Sequence, residues 1–338
     1  LGPAIEAAGM ESFVTATIGE EITTFDYGHF NAYPLLIDPD SPHATFTPDG
    51  LTQLSGGATD WAQAAPPGED FPIHGALNAT PAGILDLATN GDLSIPGTTT
   101  AQINHIDSHF APLKIDTLQV PPADLMSDDD RARRRLPDTY AAPNLFAHFP
   151  ALELWNGNDR GHQSEFLDRR IGIWFNHLNQ GLRTTFIADT DSHRFTNLRS
   201  AGARTWTAAP ADSVASIDPA DLAASVEAGR AVGGQGVFVT TRLLAMDGFG
   251  GVADLTWGGD TTMTDAGGDV VLEIDVQSPA WAEWDTIEIY ANATTSTAGS
   301  PYLFGATPTL TLREGDCDPA TQGDGDFDVT LTNDCLLY

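Results

Sequence analysis

Residues 182–194 read L-R-T-T-F-I-A-D-T-D-S-H-R, and this stretch restricts the chain more than any other. Arg183 to Ala188 is β-branched and apolar and predicts a short strand. Asp189, Asp191, Ser192 and His193 follow it without a break. Strand packing has no use for an Asp-x-Asp-Ser-His run, whereas a metal site does. In irregular backbone at a strand end, side chains two residues apart can reach one ion. A carboxylate with an imidazole is a borderline ligand set that suits Zn, Mn or Fe. The competing reading is a turn with an Asx cap and a surface histidine.

The same arrangement, a strand with a polar end, recurs along the first two thirds of the chain. Residues 1–12 read as the tail of a helix closed by Gly9, and S-F-V-T-A-T-I (12–18) reads as a strand leading into Glu20 and Glu21, with His29 beyond. A Pro-, Gly-, Asp- and Thr-rich excursion spans about 38–75, and a short helix is expected within Leu77 to Ala88. Thr98 to Asn104 predicts a strand ending on His105. Ala151 to Asn158 predicts another, carrying Glu153 and Asn156. Leu167, Ile171, Trp174 and Leu178 have helical spacing, so Trp174 reads as core rather than as a cofactor contact. Ser216 to Gly229 predicts a helix with Asp218 as N-cap, Pro219 in its first turn and Gly229 closing it.

From about residue 234 the period changes. Gly234 to Thr241, Val270 to Val276, Thr286 to Tyr290 and Thr309 to Leu312 are strand-like. Alternation with Gly- and Asp-rich turns between such runs predicts an antiparallel β-sandwich. Two units follow, 1–233 and 234–338. Strand–helix alternation with functional side chains at strand ends is how α/β barrels build sites. Glu21, His29, His105, Asp191 and His193 form a candidate metal set, with Glu153 and Asn156 beside it. Taken one at a time, each has a plainer reading: a turn residue for His29, a satisfied core histidine for His105, a solvated edge for Glu20 and Glu21.

Charge excludes several partners. The net charge is −32 over 338 residues, and Lys114 is the one lysine. Phosphate backbones and anionic membranes are held by Lys and Arg, so neither nucleic acid nor membrane insertion is expected. The acid run Asp128 to Asp130 beside Arg131 and Arg133 to Arg135 reads as a solvated face. No apolar run approaches membrane-spanning length. Cys317 and Cys335 lie close together in the last segment, and either a disulfide or two free thiols is compatible with them. Sequons occur at Asn78 and Asn292. In the tail, Asp324, Asp326 and Asp328 alternate like a calcium loop. Val329 stands where an EF-hand needs Gly and Cys335 where it needs Glu, so an EF-hand is rejected. A looser Ca²⁺ site using Asp316, Asp318 and the later Asp residues, or a hydrated acidic loop pinned by a disulfide, remains.

G-E-E-I-T-T with G-H-F-N, then I-N-H, L-E-L-W-N-G and A-D-T-D-S-H, occur in this order. In these pieces, and in A-G-R-A-V-G-G-Q-G-V-F-V-T-T, the chain resembles the PHP-domain (polymerase and histidinol phosphatase) metallohydrolases of the CehA/McbA type over roughly residues 5–290. The resemblance implies an α/β fold: a distorted (β/α)7 PHP-type barrel, here with its N-terminal part missing, followed by an antiparallel β-sandwich. It implies a site of two or three divalent transition metals, Zn, Mn or Fe. Glu21, His29, His105, Asp191 and His193 would be ligands, with Glu153 and Asn156 lining the pocket. The implied activity is hydrolysis of a small-molecule phosphoester, amide, carbamate or ester by a metal-bound hydroxide; the acidic composition and the cysteine pair point to a secreted or periplasmic protein. The family's His-x-His and T-D-H motifs are absent, and Leu1 falls just past the place of the T-D-H. A piece of a longer chain, or a cleaved product that keeps its N-terminal fragment as a partner, is expected ahead of a degenerate barrel acting as a non-catalytic extracellular structural or binding protein.

Overall fold

The computed structural model describes residues 2–23, 29–36, 81–91, 94–104, 149–157, 170–172, 174–175, 178, 183–192, 202–246, 252–254, 270–282, 284–290 and 310–313. Within them the chain is a mixed α/β protein with one sheet containing parallel strands and several antiparallel ones.

The principal sheet has the order β1-β2-β3-β4-β5, formed by Glu20–Thr23, His29–Tyr33, Thr100–Asn104, Ala151–Asn156 and Thr185–Asp189. β3, β4 and β5 run parallel, while β2 runs against both of its neighbours. The N-terminal end of β2 therefore lies at the same sheet edge as the C-terminal ends of the other four strands.

One face of this sheet is apolar and closes the core. Ile22, Phe30, Ile103, Leu152 and Leu154 are buried there with Phe149, whose ring centroid is 5.1 Å from that of Phe30. Helix α2 (Pro81–Asn90) joins this cluster through Ile84 and Ala88, one helical turn apart. Burial of each large side chain in such a cluster contributes about 1.5–3 kcal/mol. Trp174 packs on the same core and donates Nε1–H to the Thr184 carbonyl at 2.7 Å, so its helical spacing did mark a core position.

Helix α3 (Pro219–Glu227) covers part of the opposite face, where Val226 packs on Ala151 and Ile187. Its ends follow the local chemistry of the sequence. The Asp218 side chain accepts from the Ala220 amide at 2.9 Å, and Gly229 takes φ +71°. The Arg230 amide then donates to the Ser225 carbonyl at 2.8 Å, which satisfies a carbonyl the helix leaves open. Helix α1 (Gly2–Ala7) ends the same way. Gly9 is at φ +63°, and the Met10 amide reaches the Ile5 carbonyl at 3.1 Å.

Residues 12–18 are not a strand. Phe13 is 71 % exposed and Val14 is also exposed; the β-branched run lies in irregular backbone, with no strand among the described residues paired to it. Pairing begins instead at Glu20, so Glu20 and Glu21 lie within the first strand rather than after it.

Beyond β5, β6 (Arg204–Thr207) pairs antiparallel with β7 (Ala231–Gly234), across the expected boundary at 233/234. The hydroxyl of Thr205 docks β6 onto β5: it accepts from the Ala188 N–H and donates to the Ala188 carbonyl, each at 2.8 Å. The later strands are β8 (Phe238–Met246), β9 (Val252–Asp254), β10 (Val270–Gln277), β11 (Thr286–Ile289) and β12 (Leu310–Arg313). They form an antiparallel sheet of order β10-β8-β9 and an antiparallel pair, β11-β12. Leu272, Ile274 and Val276 are half-buried while Asp275 and Gln277 are exposed, as their alternation predicted. No helix among the described residues is long and apolar enough to cross a membrane.

Candidate functional site

The second face of the principal sheet becomes polar toward the strand-end edge. Residues directly opposite across an antiparallel ladder share a face, and so do residues two apart on one strand. Glu21 is opposite Asn31, which is opposite Gln102; Thr23 is opposite His29, which is opposite Asn104. Glu21, His29, Asn31, Gln102 and Asn104 therefore share the polar face. Glu20 alternates to the other side with Ile22, opposite buried Ala32, and that burial pushes its carboxyl up to about 7. Of the two adjacent glutamates, only Glu21 faces the site.

Glu21 Oε1 lies 2.9 Å from His29 Nδ1. A chain of hydrogen bonds runs beside this pair. The Tyr33 hydroxyl donates to Gln102 Oε1 at 3.0 Å. Gln102 Nε2 donates to Asn104 Oδ1 at 2.9 Å and to Asp189 Oδ2 at 3.3 Å. Asn104 Nδ2 donates to Asn31 Oδ1 at 2.8 Å. Gln102 and Asn104 are almost fully buried, so the bond between them forms where water does not compete, while those to Tyr33, Asp189 and Asn31 are part-buried. Burial, together with the negative charges of Asp189 and Glu227, raises the Tyr33 phenol and keeps it a donor.

Strands β4 and β5 supply the other half of the edge. Glu153 is fully buried in the register row of Ile187. The β4–β5 ladder shifts between Glu153 and Trp155, a β-bulge that leaves Asn156 beside Asp189. Glu153 and Asn156 are three apart and a regular strand would send them to opposite faces; the bulge returns Asn156 to the polar one. Asn156 Nδ2 donates to Asp191 Oδ2 at 3.1 Å. Asp191 sits at φ +43°, a left-handed conformation that costs a non-glycine residue energy and that Asp tolerates better than most. Gly157 allows the strand ends to close up, since a Cβ there would meet Thr190 Cα at 3.1 Å and the Asp189 carbonyl at 3.3 Å.

No family model matches the chain, and no curated protein or solved structure matches it.

The expected site residues thus fall into two described groups on one polar edge, Glu21 with His29 and Asn156 with Asp191, with buried Glu153 on β4. Ligands sharing one ion at bond lengths of about 2.0–2.2 Å stand roughly 2.9–3.4 Å apart. The Glu21–His29 spacing of 2.9 Å falls in that range. Among the described residues no three His, Cys, Asp or Glu side chains gather into one metal-holding cluster. His105 and His193 lie outside the described residues, as do Cys317, Cys335, the tail aspartates, Asp128 to Asp130 with Arg131 and Arg133 to Arg135, and the two sequons. Asn31, Tyr33, Gln102, Asn104 and Asp189 belong to the polar edge although the metal-set reading passed over them. Their signal was the strict alternation in H-F-N-A-Y and in Q-I-N, with a polar residue at every second position of a strand.

Proposed function

We propose that this protein is a metal-dependent hydrolase built on a PHP-like scaffold, a distorted (β/α)7 barrel followed by an antiparallel sandwich, working outside the cytoplasm on a small-molecule phosphoester, amide, carbamate or ester. The observation that carries this reading is the convergence of Glu21–His29 and Asn156–Asp191 on one edge of one polar sheet face, reached from β1, β2, β4 and the end of β5. Glu21, His29 and Asp191, with His105 and His193, would hold two or three Zn, Mn or Fe ions. When bound, such ions make a water acidic enough to attack at neutral pH and polarise the oxygen under attack. The remaining residues have their own tasks. Asn156 fixes the Asp191 carboxylate in one orientation. Buried Glu153 lies on β4 beneath the site, and the Gln102 amide bridges the two halves through Asn104 and Asp189. The net charge of −32 suits the binding of cations rather than of a polyanion.

Elemental analysis of purified protein, alone and after loading with Zn or Mn, tests the reading. Two or three ions per chain are expected, with loss of metal and of hydrolysis in His29→Ala and His193→Ala and retention of the fold. Full metal and full turnover in both variants, or no stoichiometric metal in the loaded wild type, would sink it.

A further inference from the structure

The polar network has a direction, and the direction assigns a role to Asn31. The carboxylate of Asp189 only accepts hydrogen bonds, so the Gln102 side chain must turn its nitrogen toward it. That same nitrogen meets Asn104 Oδ1, and Gln102 Oε1 is left to accept from the Tyr33 hydroxyl. Asn104 is fixed in turn: its oxygen faces Gln102 and its nitrogen donates to Asn31 Oδ1. The amide of Asn31 is thereby locked with its oxygen toward Asn104 and its NH2 group turned away from β3. On that side stands Glu21, its direct cross-strand neighbour, and two residues along its own strand is His29. An open cleft of about 270 Å³ borders Glu21 and Asn31 at the start of β1; Gly19, Glu20, Ala32 and Tyr33 complete its lining, and His29 lies at the other end of the β1–β2 pair.

We infer that Asn31 is a substrate-binding residue: its oriented NH2 group donates to the substrate oxygen that gains negative charge as the scissile bond is attacked. This rests on the hydrolase reading and adds to it a named donor, set by four hydrogen bonds that begin at the acceptor-only carboxylate of Asp189. A carbonyl oxygen of an ester, amide or carbamate and a non-bridging oxygen of a phosphoester both present the required acceptor. A donor already oriented before substrate arrives pays no reorganisation when charge develops, and losing one such donor costs roughly 10²–10³-fold in kcat.

The test uses the metal-loaded full chain, its Asn31→Ala, Asn31→Asp and His29→Ala variants, and four probes: p-nitrophenyl phosphate, p-nitrophenyl acetate, a p-nitrophenyl carbamate and a p-nitroanilide. Asn31→Asp keeps the side-chain shape and still accepts from Asn104 but places an oxygen where the donor stood. The expected result is a fall in kcat of about 10²–10³-fold in both Asn31 variants, with KM changed far less and metal content unchanged. His29→Ala should lose metal as well as turnover. Asn31 variants that keep kcat within about threefold, while His29→Ala is dead, would overturn the inference and leave the hydrolase reading standing. Loss of metal from Asn31→Asp would overturn it too, since the residue would then serve the ions and not the substrate. Hydrolysis of none of the four probes by loaded wild type would remove the hydrolase reading and this inference with it.

Discussion

Replacing Glu20 with Gln should make the protein more stable at pH 8 than at pH 5, relative to wild type. Glu20 shares the face of Ile22, opposite Ala32, and burial raises its carboxyl from the ordinary 4.5 to about 7. A folded-state value above the unfolded one means that the folded chain holds the proton more tightly. The contribution to stability is then complete below about pH 4.5 and disappears as pH rises through about 7. A shift of this size corresponds to about 3.4 kcal/mol at 1.36 kcal/mol per unit if nothing screens it. The carboxyl is only partly buried, and solvent screening reduces the figure to about 1–2 kcal/mol. A glutamine of nearly the same shape carries no charge to desolvate at any pH. Urea unfolding of both proteins, followed by tryptophan fluorescence at pH 5, 6, 7 and 8, should give a difference in unfolding free energy that grows by about 1–2 kcal/mol across the series, with most of the growth between pH 5 and 7 and little above. A difference independent of pH would refute the placement of Glu20 on the apolar face.

Three further substitutions probe the same sheet and its flank. Gln102→Leu keeps the bulk but leaves the Tyr33 hydroxyl and Asn104 Oδ1 without their partner, and should cost about 2–4 kcal/mol in urea unfolding. Gly157→Ala forces a methyl against the Thr190 backbone and should cost about 1–3 kcal/mol and weaken metal retention by disturbing Asp191, measured by unfolding and by elemental analysis together. Asp218→Ala removes the cap on the Ala220 amide at the start of α3, and a loss of about 1 kcal/mol is expected with metal content untouched.

Features governed by neighbours in sequence were legible before any coordinates. The Asp218–Pro219 start and Gly229 end of α3, the stop at Gly9, and the strand character of 100–104, 151–156 and 185–189 each rest on local chemistry. The run 12–18 has the composition of a strand yet lies in irregular backbone, because a strand forms only where another strand supplies its hydrogen bonds. β6 at 204–207 went unread for the converse reason, since R-T-W-T has little pattern until β7 pairs with it. At the site, Glu21, His29, Glu153, Asn156 and Asp191 were singled out by residue type and by their place near strand ends. The Tyr33–Gln102–Asn104–Asn31 chain was not, because it depends on lateral register between strands about 70 residues apart, and periodicity along one strand contains no register.

The bulge in β4 turns a matter of composition into one of length. Side chains 153 and 156 meet on one face only because the ladder skips a step between them. Deleting Leu154 or Trp155 would remove a single apolar residue and leave every polar group of the strand in the chain. It would also abolish the step, and Asn156 would move one place closer to Glu153. Insertions and deletions in this strand should therefore be far less tolerated than substitutions at 154 and 155, so a deletion scan would locate the bulge where an alanine scan would pass over it.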